Sequence, residues 1–386
     1  MTDDTASTLK HLRRRIFAAG FFLTLGAALS YYVNSSFLEG LVGKSRIGLV
    51  YIAAALLAIG LISFTSRLAR RFGLVKPSRV LAAIVTVGYL GLSLITAATF
   101  QLTIFIITHA AVVSLGLWLD LYLESLSLDR HTGRIRGGYL TLINAAILLA
   151  PFASGETLNY SGDYRLIYLL SFIAVLPLLY LLLGRLAERQ LPLNQFSFRE
   201  KIRDLNLQRI IGIDFLLNLF YFVMVVYLPL HLHETLGFNW EQIGFIFTIM
   251  LLPFVLIQYA LGWLADRRFG EKEILIAGLL IAGLSTLPVA GLTSRRLALW
   301  ALLLFLTRVG ASAWEAMKES YLFKRVNAGD TEVISLSRLM VPFAYLVGSI
   351  ASAIFLRFLP LEQLFFFLGL LIIASVFFIV RLADTR

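Results

Sequence analysis

The sequence predicts an all-α polytopic membrane protein with twelve transmembrane helices in two pseudo-symmetric six-helix halves. Three observations predict this fold class: the composition, the number of long apolar runs, and an internal repeat. The hydrophobic fraction is 59% and the charged fraction only 15%. A soluble domain could not bury that much apolar surface, so most of it must face lipid or other helices.

The apolar runs are long enough to cross a membrane. A helix that crosses about 30 Å of hydrocarbon needs about 20 mostly apolar residues. Runs of this kind lie at 17–38, 46–66, 78–99, 103–124, 138–158, 166–184, 209–230, 242–264, 274–292, 297–317, 333–356 and 363–380. We number them as spans one to twelve.

The internal repeat joins two pairs of landmarks at nearly the same offset along the chain. The tetrapeptide Arg-Arg-Phe-Gly occurs at 70–73 and again at 267–270. The second landmark is a pair of acids near the inner end of spans four and ten: Asp120 and Glu124, then Glu315 and Glu319. Repeats of this kind are common in alternating-access transporters, whose substrate site lies between the halves.

The basic residues predict the orientation. If the N-terminus is cytoplasmic, most of the 34 Lys and Arg residues fall in inner segments, which is the positive-inside pattern. We therefore expect an N-in, C-in topology. The longest polar segment divides the chain into an N-terminal half at 1–186, a cytoplasmic linker at 187–208 and a C-terminal half at 209–386.

The loop after span eight carries a recognisable motif, formed by Gly262, Asp266, Arg267, Arg268 and Gly270. It is similar to motif A of the major facilitator superfamily, which the whole chain resembles in span count, repeat and orientation. A carboxylate at Asp266 suits a neighbouring helix N-terminus, because the helix dipole favours negative charge there. We expect these charges to latch the cytoplasmic side.

The resemblance implies a secondary transporter rather than an enzyme. We expect a monomer in a bacterial-type cytoplasmic membrane, among membrane lipids, that moves a small amphipathic or anionic organic solute by alternating access, linked to protons. No Walker A loop, nucleophile elbow or zinc-binding pattern occurs, no cysteine is present, and the basic residues lie in short loops rather than on a nucleic-acid-binding face. No metal or cofactor is expected. The alternatives are a lipid or lysolipid transporter or flippase of the same fold, and a facilitated-diffusion carrier.

Arg308 is the most informative single residue. It lies near the middle of span ten, about 16 Å from either end at about 1.5 Å per residue. No Asp or Glu lies at a similar depth in any span. Ionisable groups inside a membrane are costly and normally face water, protein or a ligand. Arg308 is therefore a candidate contact for an anionic substrate group.

The remaining candidates fall into two groups. Acids four residues apart share one helix face, so we expect the two acidic pairs to act in gating or proton coupling, together with Asp214 and with Arg338 as a partner for Glu315. Asp214, Asn218 and Tyr221 form one polar stripe on span seven. Further candidates for the substrate cavity are Tyr31, Tyr32, Asn34, Trp118, Asn144, Gln258 and Trp314.

Overall fold

The computed structural model describes residues 3–126, 132–184, 186, 203–265, 269–325 and 331–383, and their regular structure is helical throughout. In the first half the helices are α1 Asp3–Tyr31, α2 Asn34–Val42, α3 Ile47–Ser63, α4 Thr65–Phe72, α5 Val75–Leu94, α6 Ala98–Ser125, α7 Thr132–Ser161 and α8 Tyr164–Leu183. In the second half they are α9 Leu205–Leu230, α10 Trp240–Leu256, α11 Gln258–Leu264, α12 Glu271–Thr286, α13 Leu297–Arg325, α14 Thr331–Phe355 and α15 Gln363–Ile379.

The helices are long and apolar enough for a multi-pass membrane protein. Ten described helical segments can each cross a bilayer by length and composition, and α1 with α2 would make an eleventh. Span one is not one straight helix as the sequence suggests, because α1 and α2 meet at a 49° bend. The last helix, α15, has 17 residues. The count of twelve spans and the N-in, C-in orientation stay predictions.

Polar side chains start several helices by bonding their free N–H groups. Asp163 accepts a hydrogen bond from the backbone of Arg165 at the start of α8, and Asp204 accepts one from Asn206 at the start of α9. Asn239 forms a capping box at α10. These short polar side chains are good N-caps because their oxygens replace the carbonyls that a first helical turn lacks.

Two compact units make up the chain: Met1–Gly43 with Leu49–Leu193, and Lys44–Gly48 with Asn194–Arg386. In the first unit α1 packs on α7 and α8, and α5 packs on α6 and α8. In the second unit α9 packs on α14 and α15, and α12 packs on α13 and α15. These four pairings therefore recur in both units. The predicted linker lies largely on residues outside the described part of the chain, so its bounds stay a prediction.

Close contact between α12 and α13 depends on two glycines. A Cβ atom on Gly278 would lie 2.9 Å from the carbonyl oxygen of Gly310, and one on Gly310 would lie 2.6 Å from the carbonyl oxygen of Gly278. Small residues let membrane helices approach closely, because their backbones can touch without side chains between them. This contact positions α13, which carries most of the charged residues described below.

Candidate functional site

Arg308 is buried in the second unit, where two aromatic rings contact its guanidinium group. Its side chain lies on α13, and the residue is 1% exposed. The guanidinium carbon lies 4.9 Å from the ring centre of Phe220 and 5.6 Å from that of Tyr221, both on α9. Cation–π contact of this kind stabilises a guanidinium that has left water.

Two hydrogen-bond donor atoms of Arg308 have no acceptor among the described residues. Its Nε and Nη1 atoms are buried, and neither donates a hydrogen bond to any described residue. Within the same residues Arg308 forms no salt bridge. Burying a charged group without hydrogen-bond partners costs several kcal/mol of free energy. Binding of a ligand with a hydrogen-bond acceptor near Arg308 would therefore be favourable.

Tyr221 connects Arg308 to the acid Glu315. Its hydroxyl donates to Oε2 of Glu315 at 3.2 Å, while its ring contacts the guanidinium. The amide of Gln258, the first residue of α11, donates to the same Oε2 at 3.4 Å. Three elements thus meet at Glu315, which is half-buried.

A network of ion pairs lies beside Glu315. Lys318 Nζ lies 2.7 Å from Oδ1 of Asp214 and 3.2 Å from Oε1 of Glu319. Arg338 Nη1 lies 3.2 Å from the same Glu319 oxygen. Ser337 donates to the second oxygen of Asp214. The network ties α9, α13 and α14 together through side chains that are mostly buried.

The polar stripe of α9 faces this network. Asn218 donates to Oδ1 of Asp214 at 3.0 Å. The hydroxyl of Tyr221 donates to Glu315 on the neighbouring helix α13. The structure thus joins Asp214, Asn218 and Tyr221, which the sequence places on one face, to the acids of α13. All these contacts lie within the second unit.

Arg338 pairs with Glu319, the next acid along the same face of α13. Its charge also acts on Glu315, the partner that the sequence predicts, so a direct pairing with Glu315 stays a prediction. Sequence reasoning missed Lys318, which is 4% exposed and contacts two acids. A lysine between two acids near the end of a span was the available signal.

The candidate residues of the N-terminal half belong to the first unit, whereas the cluster around Glu315 belongs to the second. Asn34 is buried and accepts a hydrogen bond at 2.9 Å from the hydroxyl of Tyr168. Tyr32 and Trp118 are buried. The half-buried candidates in this half are Tyr31, Asp120, Glu124 and Asn144.

The motif after span eight is described only in part. Asp266, Arg267 and Arg268 lie outside the described residues, so the predicted latch stays a prediction. Gly262 is half-buried on α11, and Gly270 has a φ of 81° just before α12, a conformation that glycine adopts without strain.

Similarity to known proteins agrees with the fold. The sequence profile of the Major Facilitator Superfamily matches residues 121–317 and again 213–386, more than half of the chain. No curated protein sequence matches the chain. The inward-open conformation of the xylose transporter XylE from E. coli matches with a TM-score of 0.73 at 16% identity, covering 98% of this chain and 97% of that one. At this identity the likeness shows the fold alone. The chain belongs to the major facilitator superfamily, a family of multi-pass membrane transporters.

Proposed function

We propose that this secondary transporter moves a small organic anion with an apolar body by alternating access, linked to protons. The observation that carries the proposal is Arg308, a buried guanidinium whose Nε and Nη1 atoms donate to no described residue. A carboxylate or phosphate would satisfy these donors and balance the charge. Arginine suits this task because its planar fork binds both oxygens of such a group.

The surroundings of Arg308 support an apolar body on the substrate. Phe220 and Tyr221 cover the guanidinium, and Phe254 packs 6.3 Å from Tyr221 between ring centres. Trp314 lies 6.4 Å from Phe220, and its buried indole N–H has no hydrogen bond to a described residue. Aromatic rings and free donors together favour a ligand with a hydrophobic part and an acceptor group.

Two alternatives remain within the same architecture. The phosphate of a lipid or lysolipid would accept hydrogen bonds from Arg308 as well as a free solute would. The aromatic rings near Arg308 would also suit an acyl chain. A facilitated-diffusion carrier would use the same site without proton linkage. We propose a monomer in a bacterial-type cytoplasmic membrane, in keeping with the short loops of the sequence and with the basic residues of its predicted inner segments.

The test is thermal unfolding of purified protein with matched pairs of probes. Two pairs of probes differ in charge but hardly in shape: benzoate with benzamide, and hexanoate with hexanamide. Lysophosphatidate tests the alternative that the protein transports a lipid or lysolipid. Saturation at about a hundred times Kd stabilises a protein by about 2.7 kcal/mol, which a melting experiment resolves. Stabilising anions are then tested for counterflow in proteoliposomes.

We expect the anionic member of a pair to stabilise the wild type and to lose its effect in Arg308→Gln. Arg165→Gln is the matched control, because Arg165 is an exposed arginine at the start of α8. Equal stabilisation by the neutral amides, or an anion effect that survives Arg308→Gln, contradicts the anion site. Stabilisation by lysophosphatidate alone selects the lipid alternative.

A further inference from the structure

The buried cluster on α9, α13 and α14 contains one more acid than base. Its bases are Lys318 and Arg338, and its acids are Asp214, Glu315 and Glu319. Lys318 contacts Asp214 and Glu319, and Arg338 contacts Glu319. Both bases are therefore engaged by two acids, and Glu315 is the excess negative charge.

Glu315 is also the acid with neutral partners. Its hydrogen bonds to described residues come from the Tyr221 hydroxyl and the Gln258 amide, and both go to Oε2. Its Oε1 accepts none from the described part of the chain. Neutral donors stabilise an ionised carboxylate less than charged donors do, so Glu315 loses less than the ion-paired acids when it gains a proton.

The charged groups of described residues near Glu315 lie on α9, α13 and α14. On its own helix they are Lys318 and Glu319, with Arg308 two turns earlier. Arg338 comes from α14, and Gln258, which donates from α11, is neutral. On α9 the acid Asp214 is neutralised by Lys318. Proton uptake by Glu315 would bring this set, without Arg308, to zero net charge.

We infer that Glu315 is the residue that binds the proton accompanying the anion, an inference that rests on the proposed function. The step is a simple protonation: Oε1 of the carboxylate gains one proton from water, and the same proton leaves to water later. No other bond forms or breaks. Tyr221 and Gln258 hold Oε2, so Oε1 stays available.

Tyr221 provides the link between the two charges. The guanidinium contacts its ring and the carboxylate accepts from its hydroxyl, which places Arg308 and Glu315 within about 12 Å of each other. Two unit charges at this distance, at an effective dielectric of about 20, change each other's binding constant roughly tenfold. An anion at Arg308 thus favours a proton at Glu315, and the proton favours the anion by the same factor.

The first experiment needs no substrate. Infrared difference spectra over a pH titration of purified protein detect the C=O band of a carboxyl group as it protonates. We expect a band from a buried carboxyl group in the wild type, separate from those of exposed acids, that is lost in Glu315→Gln. Asp163→Asn is the control, because the side chain of Asp163 is exposed at the start of α8 and lies outside the buried cluster. A buried-carboxyl band that persists in Glu315→Gln, or disappears in Asp163→Asn, overturns the assignment.

The second experiment measures linkage with benzoate as the probe anion. Benzoate added to weakly buffered wild type should draw a proton from solution, which a pH indicator reports. Glu315→Gln should bind benzoate without proton uptake, and its affinity should lose the roughly tenfold pH dependence of the wild type. Tyr221→Phe removes the hydroxyl that donates to Glu315, so it should shift the infrared titration of that carboxyl group. Proton uptake that persists in Glu315→Gln contradicts the inference.

The two proposals fail separately. If benzoate does not bind and no other anion of the probe panel stabilises the protein, the anion transport proposal fails, and the infrared titration still decides whether Glu315 takes up a proton. If an anion binds through Arg308 but Glu315→Gln leaves proton uptake intact, the anion site stands and the proton assignment is wrong. Glu315→Asp, which keeps the acid, restores the titrating band if the loss in Glu315→Gln reflects chemistry rather than misfolding.

Discussion

Replacing Lys318 with methionine is expected to be the most damaging single change in the buried cluster. Methionine matches the length of the lysine stem, so the apolar packing of α13 is largely kept. The change leaves Asp214, whose side chain is 4% exposed, without its charged partner. Ser337 and Asn218 still donate to Asp214, but neither balances its charge.

The expected loss of stability depends on which buried charge each variant leaves without a partner. Removing one partner of a buried ion pair costs about 3–5 kcal/mol, because an uncompensated charge stays buried. Asp214→Asn should cost less, about 1–3 kcal/mol, since Lys318 keeps Glu319 at 3.2 Å. The double variant carries neither charge and should regain at least about 2 kcal/mol over Lys318→Met alone.

The assay is thermal unfolding in detergent of the wild type, the two single variants and the double variant, read by tryptophan fluorescence. At roughly 2–4 °C per kcal/mol, Lys318→Met should lower the melting temperature by roughly 10 °C, and the double variant should melt between the two singles or above them. A double variant that is as unstable as the sum of its parts would refute the reasoning, because the two side chains would then not interact.

Three further changes test other contacts. Gly310→Ala should destabilise the protein strongly, because a Cβ atom would meet the α12 backbone, whereas Gly116→Ala on α6 has open space and should be tolerated; expression and melting temperature compare them. Tyr168→Phe removes one buried hydrogen bond to the α2 amide and should cost about 1 kcal/mol in thermal unfolding. Hydrogen bonds from Arg165 lower the pKa of Asp163, so its stabilising charge is present at neutral pH and is lost as pH falls through that lowered pKa; Asp163→Asn should flatten the acid side of the melting-temperature profile slightly.

The helical membrane fold was predictable because its causes are local. Lipid offers no hydrogen bonds, so each long apolar run must satisfy its own backbone as a helix. The repeat of Arg-Arg-Phe-Gly and of the acidic pairs was visible without any contact information. The depth of Arg308 in its span followed from counting residues along one helix.

Helix spacing also predicted which side chains share a face. Asp214, Asn218 and Tyr221 do point into one cluster, since residues four and seven apart lie on one side of a helix. What spacing cannot supply is the rotation and height of the neighbouring helix. The bend between α1 and α2 was missed for a similar reason, because apolar residues continue on both sides of it.

By itself the sequence determined the class of the protein, its repeat and the residues that are costly to bury. Only the tertiary structure decided the partners. The packing of α14 against α9 sets Arg338 beside Glu319, and the long stem of Lys318 lets one ammonium reach two acids on different helices. Pairing depends on where separate helices meet, and not on spacing within one helix. For this reason Glu315, the acid of the cluster that forms no ion pair with a described residue, could be recognised only in three dimensions.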